Sequence, residues 1–177
     1  AEIARQILSQ PLELSVPNPE EGDPGPWTFD QNTLAGMLVI ELAETEEGKQ
    51  YQVALDAGSL RTFLENTAPS FTRYAQNARF IFNDDTRQLD LIEPGVIGRS
   101  LDVDATIQAI NAKVSAGEHR VELVFDTTEP AIGNDATAAE LGITELVEAQ
   151  TTYFYGSSAA RIQNIKTASS RFHGIFI

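Results

Sequence analysis

Cysteine is absent from the 177 residues, so disulfides, thiolate zinc sites and cysteine nucleophiles are all excluded. Basic residues are scarce as well. Twelve Lys and Arg stand against 26 Asp and Glu, a formal charge of −14, and no basic stripe interrupts the excess. Such a surface repels phosphate backbones over about 8 Å at physiological salt, which excludes nucleic acid as a partner and disfavours anionic membranes. Long apolar runs are missing: the longest, Met37 to Ile40, is far short of the roughly 20 residues that span a bilayer. No signal peptide is visible, so any export signal or anchor of the parent protein is expected upstream of Ala1. The two histidines, His119 and His173, lack metal-ligand spacing, and there is no Gly-x-Ser-x-Gly elbow, phosphate loop or dinucleotide fingerprint. These absences imply no cofactor, no metal and no catalytic residue within the chain.

What is present is a succession of short elements. Ala1 to Leu8 predicts a helix and Leu12 to Val16 a strand, followed by a loop over Pro17 to Pro26 that is too rich in proline and glycine for regular structure. One pattern then occurs three times: an extended segment ends in an apolar residue, an Asp follows, and an apolar helical face begins four or five residues later. The instances are Phe29-Asp30 with Leu34, Leu55-Asp56 with Leu60, and Leu101-Asp102 with Ile107. An Asp at such a boundary accepts hydrogen bonds from the first free amides of a helix and sits at the positive end of its dipole, so these aspartates are expected to be caps. Gly117 is placed to close the third helix.

Strands fill the intervals. Met37 to Leu42 and Gln50 to Leu55 predict one hairpin; Arg79 to Phe82 and Gln88 to Ile92, joined by Asn83-Asp84-Asp85-Thr86, predict another. His119 to Phe125 alternates, with Val121, Leu123 and Phe125 on one side. Most links are too short for helical crossovers, so the pairing is expected to be largely antiparallel. The sum is an α+β fold, an antiparallel or mixed sheet with several short helices packed on one face. Thr127 to Pro130 reads as the exit from this domain, and Ala136 to Leu141 as a short linking helix.

The C-terminal run predicts a strand over Thr151 to Tyr155, a turn at Gly156, and a helix capped by Ser157 or Ser158. Its apolar stripe would be Ile162, Ile165 and Phe172, with Gly174 as terminator. The residues Thr152, Phe154, Gly156, Ser157, Arg161, Asn164 and Ile165 resemble the opening segment of VanW-like proteins. In that family the segment continues through a Pro-Gly turn into the body of the domain. Trp27-Thr28-Phe29-Asp30 before Leu34, and Gly98-Arg99-Ser100-Leu101-Asp102 before a helix, resemble the module that usually precedes it. That module is a peptidoglycan-binding domain of bacterial extracellular proteins, found also beside L,D-transpeptidase domains. The resemblance implies a peptidoglycan-binding α+β domain over 1–133 and a linker with the truncated start of a VanW-like domain over 134–177. It also implies an extracellular or cell-wall location.

Paired carboxylates are candidates for glycoside cleavage, which places two of them about 5 to 9.5 Å apart. Asp84-Asp85, however, falls in a hairpin turn, and Asp102 with Asp104 at a helix start, where backbone reasons suffice. A peptidoglycan site needs aromatic faces for sugar rings and donors for N-acetyl and peptide groups. Trp27, Tyr153, Tyr155, Arg161 and Asn164 are the candidate ligand-binding residues on that ground, against a reading in which Trp27 is core and Arg161 and Asn164 merely hold a turn. The leading expectation is a non-catalytic cell-wall-binding module. The alternatives are a cell-wall-modifying enzyme with its catalytic residues beyond Ile177, or an interaction or spacer domain.

Overall fold

A computed structural model describes residues 2–45, 48–145 and 153–171. The fold is α+β, its strands distributed over several small sheets. The chain divides into two compact units: Ala1–Arg73 with Arg99–Thr127, and Tyr74–Gly98 with Thr128–Ile177.

In the first unit, helix α1 (Glu2–Ile7) leads into β1 (Leu12–Ser15), the centre of a three-stranded sheet. β2 (Trp27–Phe29) pairs with it antiparallel, Leu12 opposite Phe29, and β8 (Arg120–Glu122) pairs parallel, Leu14 opposite Val121. The parallel pair departs from the antiparallel neighbours expected from link lengths; the two strands are separated by nearly the whole unit, so link length does not constrain them. β3 (Leu38–Thr45) and β4 (Gly48–Leu55) form the expected hairpin, with register from Leu38↔Leu55 to Thr45↔Gly48. Pairing therefore continues beyond the predicted strand ends, and the connection narrows to residues 46–47, which lie outside the described residues.

All three aspartate caps are present. Asp30 accepts from Thr33 N at 2.8 Å at the head of α2 (Gln31–Gly36). Asp56 accepts from Ser59 N at 2.8 Å before α3 (Ala57–Thr67), and Asp102 from Ala105 N at 2.9 Å before α4 (Val103–Ser115). A single turn of 3-10 helix, Ala68–Phe71, follows α3. Beyond α4, Gly117 takes φ +87°, a left-handed conformation that costs glycine little and ends the helix. Each cap starts a helix whose apolar stripe reaches the core: Leu34, Leu60, Leu64, Ile110 and Val114 are fully buried with Ile7, Leu12, Leu14, Leu55 and Val121.

The segment His119 to Phe125 is not one strand. β8 stops at Glu122, and β9 (Phe125–Thr128) pairs with β7 (Gly98–Leu101) in a different sheet. The switch occurs where Val124 turns its backbone to the start of α4: its N–H donates to Thr106 Oγ1 at 3.0 Å and its carbonyl accepts from Asp102 N at 2.9 Å. Those groups are then unavailable to a ladder.

In the second unit, β5 (Arg79–Asn83) and β6 (Gln88–Glu93) form the second predicted hairpin, with Phe80 and Phe82 buried. Ala136 to Leu141 forms only a turn. Thr137 and Glu140 exchange the hydrogen bonds of a capping box, but Gly142 at φ +69° ends the coil after one turn. Helix α5 (Ala159–Ser170) is capped by Ser158 as expected, whereas none of its own residues is buried, Ile162 and Ile165 being half-buried. Tyr153 and Phe154 are irregular and Tyr155-Gly156 is a turn, so the predicted strand is not formed over 153–155; Thr151 and Thr152 lie outside the described residues. Phe172, His173, Gly174 and the terminal Ile175-Phe176-Ile177 lie outside them too. Arg79 holds the end of α5, donating to the Ser170 carbonyl while it pairs with Glu93 at 3.0 Å.

Candidate functional site

The five candidate ligand residues fall in both units. Trp27 belongs to the first, where its ring meets Phe63 edge-on at 5.7 Å and Phe71 at 6.2 Å. The ring is half-buried and packed against the core, the structural alternative weighed for it from the sequence. Tyr153, Tyr155, Arg161 and Asn164 belong to the second unit, and all four are exposed.

Tyr153 and Tyr155 are 73% and 90% exposed, yet their rings stack nearly parallel, 5.9 Å apart with 6° between planes. The turn at Gly156, φ +76°, then carries the chain into α5, where Ser158 Oγ accepts from Arg161 N at 3.4 Å. Arg161 and Asn164 are three residues apart and share a face of α5. The segment thus offers two parallel aromatic faces followed by a guanidinium and a carboxamide, the groups that stack on sugar rings and pair with acyl oxygens.

The other residues singled out in the sequence have structural roles. His119 is buried, its Nδ1 3.1 Å from the Gly117 carbonyl and its Nε2 3.1 Å from that of Ile7, so the ring ties the end of α1 to the turn after α4. Asp84 and Asp85 sit in the β5–β6 turn, where Asn83 Oδ1 accepts from Asp85 N and Thr86 N. Asp104 pairs with Arg61 on the exposed sides of α3 and α4. Among the described residues no cluster of three or more His, Asp or Glu is placed to hold a metal, and no helix is long and apolar enough to cross a membrane.

Arg99 acquires a role that sequence did not reveal. Its guanidinium meets Asp23 through both oxygens, at 2.6 and 3.2 Å, and lies 5.0 Å from the centre of the Phe125 ring. The hydrogen bond from Arg99 and another from Glu20 N hold the Asp23 carboxyl below the usual carboxylate range. The pair fastens the proline-rich loop to the body of the first unit. It accounts physically for the Gly-Arg-Ser-Leu-Asp run, in which Arg99 anchors a loop and Asp102 caps a helix.

Sequence reasoning also missed a cleft of about 420 Å³ between the β3–β4 hairpin and α4. Asn111 borders it and clamps the free edge of β4: its Oδ1 accepts from Leu55 N at 2.8 Å and its Nδ2 donates to Leu55 O at 3.2 Å. The available signal was an asparagine one turn after Ile107, beside the buried stripe of α4. A polar residue there implies a buried backbone partner.

Comparison with known proteins adds a match to one family over part of the chain. No curated protein sequence matches the chain. Two solved structures resemble it. The avibactam carbamoyl enzyme of Ldtfm has a TM-score of 0.41 and 12% identity over 71% of this chain and 44% of that one. A mutant of the Enterococcus faecium L,D-transpeptidase has a TM-score of 0.40 and 11% identity over the same shares. The chain therefore spans less than half the length of either. Residues 35–122, from the end of α2 through β8, match the family described as "Putative peptidoglycan binding domain", and it is with that family that this stretch of the chain is aligned.

Proposed function

We propose that the chain is a non-catalytic module that binds or positions against bacterial cell-wall peptidoglycan outside the cell. The family match over residues 35–122 carries this reading. Tyr153 and Tyr155 supply stacking faces, and Arg161 and Asn164 supply donors, at a surface that follows the matched stretch. Trp27 contributes through packing. In this reading residues 1–133 form the binding domain, and 134–177 the linker and opening segment of a VanW-like domain.

Co-sedimentation with purified insoluble peptidoglycan tests the proposal. The protein is expected in the pellet at low and moderate salt. Both partners carry carboxylates, so added salt screens repulsion, and the bound fraction should hold or rise. Protein left wholly in the supernatant at both salt levels would refute wall binding. Replacing both tyrosines by alanine should lower the bound fraction without altering unfolding of the first unit.

A further inference from the structure

We propose that the cleft between the β3–β4 hairpin and α4 is a subsite for the peptide portion of peptidoglycan, a short peptide of small apolar side chains bearing an ammonium group. This rests on the wall-binding reading and names the part of the polymer recognised. Every lining residue falls between Glu41 and Ser115, inside the matched stretch, whereas the exposed tyrosines lie outside it.

The volume, about 420 Å³, is within the usual range of roughly 300 to 1,000 Å³ for small-ligand sites. Its apolar lining is small, made by Val53, Ala54, Ala57, Ile107 and Ala112. Among the described residues no aromatic ring lines it, so they lack the stacking platform that a sugar would use, while methyl groups fit such a surface. The polar lining favours amides, since Gln52, Gln108 and Asn111 each carry a carboxamide with both donor and acceptor. Asn111 is committed to Leu55, which fixes the wall that the others share. Among the described residues Glu41 is the one charged residue of the lining, and Gln52 Nε2 donates to its Oε1 at 3.1 Å, steadying the carboxylate. A carboxylate beside small apolar walls selects a cation over an anion, and charge-assisted pairing with an ammonium is the strong form of that contact.

The test is titration of the whole chain, followed by amide NMR shifts, with three probes. These are a synthetic stem pentapeptide with a free lysine amine, its N-acetylated form, and a chitin tetrasaccharide. The free-amine peptide should shift amides of residues 52–57 and 107–115. Acetylation, or Glu41→Gln, should weaken it about tenfold, the loss of one good ionic hydrogen bond. Ala112→Phe, at an exposed position that fills the cleft, should abolish the shifts. Equal binding by Ala112→Phe, no peptide shifts at these amides, or tetrasaccharide shifts there instead would each overturn the assignment. If peptide binding fails while co-sedimentation persists, the cleft is not the subsite and the wall-binding reading stands; if both fail, that reading falls too.

Discussion

Replacing Asn111 by alanine removes two hydrogen bonds that join α4 to the outer edge of β4, and the structure sets the size of the loss. Leu55 is fully buried, and its N–H and carbonyl meet the Asn111 side chain at 2.8 and 3.2 Å. A buried backbone group left unpaired costs about 1–3 kcal/mol, so the two together would cost about 2–6 kcal/mol if kept dry. Water reaching the edge from the adjoining cleft restores part of this, which brings the expected loss to about 2–4 kcal/mol. Trp27 is the only tryptophan, and it packs on Phe63 and Phe71 in the same unit, so its fluorescence reports unfolding of that unit. With a urea slope of about 2 kcal/mol per molar, the midpoint should fall by about 1–2 M at unchanged slope. Asn111→Asp keeps the acceptor for Leu55 N but sets a carboxylate against the Leu55 carbonyl, and should lose at least half as much. A midpoint shift below about 0.3 M for Asn111→Ala would refute the clamp.

Three further outcomes are expected. Thr106→Val, which keeps the side chain's shape but deprives Val124 N of its acceptor, should destabilise the first unit by about 1–3 kcal/mol in the same urea assay, and Thr106→Ser by less. Asp23→Asn leaves Arg99, 13% exposed, without its carboxylate; the cost should be about 2–3 kcal/mol, below the 3–5 of a fully buried pair because Glu20 stands 4.0 Å away. Acidification should also destabilise the first unit. Hydrogen bonds from Ser59 to Asp56 and from Thr33 to Asp30 hold both carboxyls below their ordinary range, and Arg99 does the same for Asp23. The unfolded chain therefore takes up protons first as pH falls, and stability present above about pH 4 is lost below it. An Asp30→Asn, Asp56→Asn double variant keeps cap acceptors that do not titrate, so its urea midpoint should fall less between pH 5 and 3; an identical fall would count against the caps as the source.

The elements legible in the sequence are those whose cause is local. An aspartate three residues before the amide it caps, or a turn that folds one strand onto the next, has partner and reason within a few positions. Hence α2, α3 and α4 begin where Asp30, Asp56 and Asp102 place them, both hairpins appear, and Ser158 starts α5. The failure at 119–125 has a distant cause. Residues 119–125 have strand periodicity throughout, but Thr106 and Asp102 capture the backbone of Val124 and divide the segment between two sheets. Ala136 to Leu141 has a capping box but nothing to extend it past Gly142. Of the candidate site, the sequence could supply residue types suited to sugars, but not that Trp27 is engaged by Phe63 and Phe71 while Tyr153 and Tyr155 stack in the open.

By itself, then, the sequence determined that these 177 residues carry no cysteine, no basic stripe and no long apolar run, and where the capped helices start. Those follow from residue chemistry and from contacts that one helical turn can reach. The tertiary structure decided that β1 lies parallel to β8, that Arg99 pairs with Asp23, and that Asn111 seals an edge beside a cleft. Each joins residues dozens of positions apart, and only the packing of the core fixes which distant groups meet.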